Sequence, residues 1–166
     1  MSRGFVKEGD QEDVPIVAPR AYLPDGVINY VTPAGLKALH IEREEWLEQR
    51  EALIEQEDKD HRVQINYINA NLNLLEERIH SAQVVDVSHQ AKDTVLFGAK
   101  VTLYKKEEKS TCQYQIVGVD EANIAENKIS FLSPLAKVLL TKKIDDIVTL
   151  KTPKGMRTME VQSIEY

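Results

Sequence analysis

The sequence predicts an α+β protein in two parts: an N-terminal antiparallel pair of helices, then an antiparallel β domain with one short helix. Three observations carry that prediction. Apolar side chains at Ile65, Ile68, Leu72, Leu75, Ile79 and Ala82 recur at intervals of 3, 4, 3, 4 and 3, the spacing of a single buried seam on an α-helix. A charged segment with a looser version of the same spacing lies just ahead of it and is its natural partner. After Ala82 the spacing gives way to short, partly alternating runs rich in β-branched and aromatic residues, the pattern of half-buried strands.

Residues 1–30 hold Pro15, Pro19 and Pro24 among mixed charges with no sustained periodicity, so a flexible leader is expected there. Its stretch from Ile16 to Tyr22 is the part suited to ordering on a partner. Thr32-Pro33 marks a helix start, with a hydroxyl to cap free backbone N–H groups and proline at the first helical position. The first arm is expected to reach about Glu57, with Leu36, Leu39, Trp46 and Leu53 on the seam and Leu47 and Ile54 beside it. Arg43 and Arg50 take two seam positions, where their aliphatic stems can cover the stripe while the guanidinium groups reach water. The turn is expected within Glu57–His61, and the whole coiled-coil hairpin over 31–82. Arms of about 25 residues give a rod of about 35 to 40 Å at the helical rise.

The β domain is expected over 83–166. Its candidate strands are 83–87, 100–104, 113–118, 129–131, 146–150 and 157–164. Thr152-Pro153-Lys154-Gly155 reads as the turn of a hairpin between the last two. Ser133-Pro134 opens the short helix, with the same capping logic as Thr32-Pro33.

A net charge of -6 argues against a general nucleic-acid binder, which needs a basic face to neutralise phosphates. Cys112 is the single cysteine, so an intrachain disulfide or a cysteine metal site is excluded, which fits a reducing compartment. No apolar run has the length of a membrane span and the first residues lack a secretory core, so a cytoplasmic protein is expected. His40, His61, His80 and His89 show no metal-ligand spacing, and no nucleophile–base set or phosphate-cradling glycine loop can be placed. An enzyme acting by itself is not expected.

Several segments, in order, resemble the GreA/GreB family of bacterial transcription elongation factors. They are Tyr30-Val31-Thr32-Pro33-Ala34-Gly35-Leu36, Ser81-Ala82-Gln83-Val84-Val85-Asp86, Val95-Leu96-Phe97-Gly98-Ala99-Lys100-Val101 and Ile116-Val117-Gly118-Val119-Asp120-Glu121-Ala122. Lys128-Ile129-Ser130, Ser133-Pro134-Leu135-Ala136 and Thr152-Pro153-Lys154-Gly155 complete the set, which covers about 30–166. The resemblance implies an N-terminal coiled coil and an FKBP-like C-terminal β domain. It implies that the β domain docks at the rim of the RNA polymerase secondary channel while the coiled coil enters it. Acidic tip residues there would assist the polymerase in cleaving backtracked RNA, sharing its active-site Mg²⁺ rather than holding a cofactor of their own. The expected partner is RNA polymerase, with nucleic acid met only inside the transcription complex, no membrane, and a monomeric chain.

This sequence departs from the family pattern at the tip. Counting back from Ala82 sets the family's glycine–acid and acid–asparagine–alanine–acid–tyrosine signature on REALIEQED, Arg50 to Asp58, without its glycine, asparagine or tyrosine. Each arm is also about seven residues short, or about 10 Å of reach. The tip candidates are Glu55, Glu57, Asp58 and Asp60, residues that equally suit a solvated turn. Asp120, Glu121, Ser133 and Pro134 are the polymerase-binding candidates. Asp120 and Glu121 also read as a solvated loop after a strand, and Ser133 as a simple helix cap. The modulation of elongation implied by the resemblance stands beside two alternatives. One is a non-cleaving paralogue that competes for the channel; the other is an adaptor whose hairpin pairs with another protein's helices.

Overall fold

The computed structural model describes residues 15–56 and 61–166. The hairpin consists of α1 (Pro33–Glu55) and α2 (Arg62–Ser81). Thr32 caps α1 as expected, its hydroxyl accepting from the Gly35 N–H at 2.9 Å with Pro33 at the first position. Cross-contacts run in opposite senses along the two helices. Arg43 meets Glu76, Trp46 stacks edge-on with Tyr67, and Arg50 donates to Asn69, so the helices are antiparallel. Ile68, Leu72 and Leu75 form the buried seam with Leu39 of α1, and Leu75 is wholly inaccessible. Arg43 and Arg50 are half-buried with their charged ends engaged, which is how two arginines can occupy a seam. The turn expected at 57–61 is bracketed by the two helix ends, but most of it lies outside the described residues.

At the hairpin's base, β1 (Asn29–Val31) pairs in parallel with β2 (Ala82–Val84), Asn29 opposite Ala82 and Val31 opposite Val84. Part of the segment expected as leader is therefore a strand.

The body is a five-stranded sheet in the order β5-β4-β3-β7-β6. Its strands are β3 (Lys100–Lys105), β4 (Ser110–Val117), β5 (Lys128–Ser130), β6 (Ile147–Thr152) and β7 (Gly155–Glu165). The expected all-antiparallel sheet is corrected in one place. Residues 118–127, with a 3₁₀ turn at Ile124–Glu126, carry the chain back so that β5 runs parallel to β4 and the sheet is mixed. The turn between β6 and β7 is Pro153-Lys154, with Thr152 opposite Gly155. A bulge interrupts the β3–β7 ladder: Thr102 faces Ser163 but Leu103 faces Val161, leaving Gln162 extra. That extra residue lets Val161 and Ile164, an odd number of positions apart, both point into the core.

One core fills the body. Val101, Leu103, Ile116, Val148, Met159, Val161 and Ile164 from the sheet pack under Ala136 and Leu139 of α3 (Pro134–Leu139).

Candidate functional site

The parts of the chain that resemble known motifs meet where the hairpin joins the body. Tyr30 of β1 packs against Phe97 and Phe131, each at 5.9 Å between ring centres, and those two phenylalanines meet at 5.7 Å. Gly118, at the end of β4, lies under β1 so closely that a Cβ there would stand 2.6 Å from the Tyr30 carbonyl oxygen. Gly35 is likewise pressed against the carboxylate of Glu121. At Gly118 the obstructing atom is backbone, so the close approach of β1 requires a residue without a Cβ.

Charge pairing closes the joint. The Arg20 guanidinium forks onto Glu42 of α1, with its Nη atoms 2.8 and 3.0 Å from the two carboxylate oxygens, and its Nε donates to Asp120 at 2.9 Å. Arg78, from the last turn of α2, lies 3.5 Å from the other Asp120 oxygen and donates to the Ala21 carbonyl. The Thr32 hydroxyl, while capping α1, donates to Glu121 at 2.5 Å, the short contact typical of a carboxylate acceptor. Lys128 pairs with Glu121 at 3.9 Å and Glu126 at 3.0 Å. Bonding to Arg20 holds the Glu42 carboxyl below its ordinary range against the opposing effect of burial. The same bond to Glu42, with that to Asp120, raises Arg20 despite its burial.

Asp120 and Glu121, expected on a solvated loop, are instead turned inward, their side chains 7% and 9% exposed. The reason is that a carboxylate can be buried when guanidinium and hydroxyl donors surround it, and those donors arrive from residues far away in sequence. Ser133 caps α3, its hydroxyl accepting from the Ala136 N–H at 3.2 Å, while Pro134 is exposed beside it. Among the described residues, no hydrogen bond or ion pair links this pair to Asp120 or Glu121. Glu55 is exposed at the end of α1; Glu57, Asp58 and Asp60 lie outside the described residues. Among the described residues, no group of three acids, histidines or cysteines is placed to hold a metal ion, and no helix is long and apolar enough to cross a membrane.

The sequence reading missed Arg20, Glu42 and Arg78. Arg20 and Asp120 are 100 positions apart, and no local pattern marks such a pairing. Nearer the tip, the seam opens into an apolar groove of about 660 Å³ walled by Trp46, Leu53, Val63, Tyr67 and Ile68.

The family model for the GreA/GreB transcription elongation factor C-terminal region matches residues 90–166. Transcription elongation factor GreA of Francisella tularensis subsp. novicida (strain U112) is 38% identical over 152 residues, spanning 82% of this chain and 95% of the relative. GreA of Francisella philomiragia subsp. philomiragia gives the same figures. Among solved structures, GreA factor homolog 1 (Gfh1) of Thermus thermophilus is 25% identical over 82% of this chain and 98% of its own, with a TM-score of 0.41. Identity of 38% across nearly the whole length of the GreA relatives places the chain in the GreA/GreB family of transcription elongation factors.

Proposed function

We propose that this chain binds RNA polymerase through its β body at the rim of the secondary channel and directs its hairpin into that channel, modulating elongation. The observation that carries the reading is the match to 95% of the length of GreA, which takes in hairpin and body alike. The protein would act as a monomer in the cytoplasm and meet nucleic acid only within the transcription complex. Ser133 and the exposed Pro134 are the body residues proposed to face polymerase. Asp120 and Glu121 would support that surface from beneath, since their carboxylates are engaged within the chain.

Stimulated cleavage of backtracked RNA is a second, more demanding reading. It would require Glu55, Glu57, Asp58 and Asp60 to approach the polymerase's Mg²⁺, an ion whose direct ligands must be placed to within tenths of an ångström. The finger's length favours another outcome. Helices of 23 and 20 residues span about 35 and 30 Å. The GreA alignment occupies 82% of 166 residues, about 136, so about 16 of its 152 positions have no counterpart here. Placed in the hairpin, that deficit would shorten each arm by about seven residues, which would favour a factor that occupies the channel without supplying metal ligands. A cleavage assay on a stalled, backtracked complex separates the two. Stimulation that disappears when all four tip acids are replaced by alanine supports the cleavage reading. Inhibition of GreA-stimulated cleavage, unchanged by those substitutions, supports the competing paralogue.

A further inference from the structure

The geometry points to Arg20 as a positioning residue that fixes the direction of the finger relative to the body. This inference rests on the proposed reading of the hairpin as a finger aimed into a channel. Arg20 is the one described side chain with ionic bonds to a hairpin helix and to the body together: a two-pronged contact with Glu42 of α1 and a single one with Asp120. The strap that carries it, Pro19 to Leu23, crosses α2 and walls a groove of about 460 Å³ with Leu74, Glu77 and Arg78. Arg78 holds the strap from α2 through the Ala21 carbonyl and faces Asp120 as well. Strap, α2 and body loop thus meet at the Asp120 carboxylate, whose side chain is 7% exposed, and Arg20 extends the tie to α1 through Glu42.

A lever explains why that tie matters. With the tip about 35 Å from the base, a tilt of roughly 10° displaces it by about 6 Å, far more than any specific contact inside a channel tolerates. Apart from the Arg20 cluster and the Thr32–Glu121 bond, the joint has the two-stranded β1–β2 ribbon and the aromatic trio around Tyr30. A two-stranded ribbon alone is marginal. Arginine suits the task because its planar fork grips a carboxylate in a fixed direction, which a lysine ammonium does not.

The test measures distances in the free, full-length protein. Spin labels go on Glu48→Cys in α1 and Lys151→Cys in β6, both exposed positions, in a Cys112→Ser background. The parent is expected to give one narrow distance distribution. Arg20→Ala should broaden it and raise a second population by about tenfold or more, and Arg20→Lys should fall between. Glu42→Gln, which removes only the finger's side of the tie, should also broaden it and decides the matter if Arg20→Ala does not fold. Unchanged distributions in folded variants overturn the inference. With core polymerase, Arg20→Ala should bind with nearly unchanged affinity but lose most of its effect on elongation, a split that general destabilisation does not produce. Failure of the parent to bind polymerase would remove the proposed function while leaving the distance result intact. Unchanged distances with intact polymerase binding would remove only the role of Arg20.

Discussion

Gly118→Ala probes the joint with one methyl group. Gly118 is absent from the residues with positive φ, so alanine can adopt its backbone without strain and the cost is purely one of space. The new Cβ would stand 2.6 Å from the Tyr30 carbonyl oxygen, where ordinary contact begins near 3.4 Å. Both partners are backbone, so no side chain can swing away; β1 must retreat by about 0.8 Å. Such overpacking costs about 1–3 kcal/mol. The loss should be local, because β1 belongs to a separate two-stranded ribbon while the body has its own core. Native-state hydrogen exchange reads it directly. The Val85 amide, bonded to the Val31 carbonyl at 3.0 Å, should exchange roughly 5 to 140 times faster at 1.4 kcal/mol per tenfold. The Val161 amide, bonded to Asp146 within the body, should keep its rate. Equal protection of Val85 in parent and variant would refute the reasoning that Gly118 is there to seat β1.

Leu75→Ala empties a wholly buried seam position and should lower stability by about 2–5 kcal/mol in thermal or urea unfolding; a loss below about 1 kcal/mol would mean that the seam is not packed as described. Ser133→Ala removes the α3 cap and should lower stability by about 0.5–2 kcal/mol in urea unfolding, with weaker binding to core polymerase. Glu42 has a folded-state pKa below its ordinary 4.5, so its pairing stabilises fully above that value and is lost as pH falls through the lowered one. Parent and Glu42→Gln should therefore differ in stability at pH 7 and converge in acid. A difference independent of pH would contradict the pairing.

The hairpin was legible in the sequence because a seam at Ile65, Ile68, Leu72, Leu75 and Ile79 has one explanation, and Leu75 is indeed inaccessible. The same holds for helix starts written as Thr32-Pro33 and Ser133-Pro134, where cap chemistry is local. What escaped was non-local. Asn29–Val31 is too short to show alternation and becomes a strand only beside Ala82–Val84. The direction of β5 depends on how residues 118–127 loop back, and Gln162 reads as part of a regular strand until its ladder is seen. At the candidate site, the motif residues were visible but not their roles. Asp120 and Glu121 look like a surface loop until Arg20, Arg78 and Thr32 arrive from elsewhere to bury them. Gly35 and Gly118 belong to separate motifs in the sequence and to one joint in space.

Mixing the full-length chain with core RNA polymerase at moderate salt, with GreA as competitor, tests whether this hairpin-and-body protein works at the secondary channel. A saturable complex that GreA displaces is the predicted result. No complex, or one that GreA leaves untouched, would contradict it.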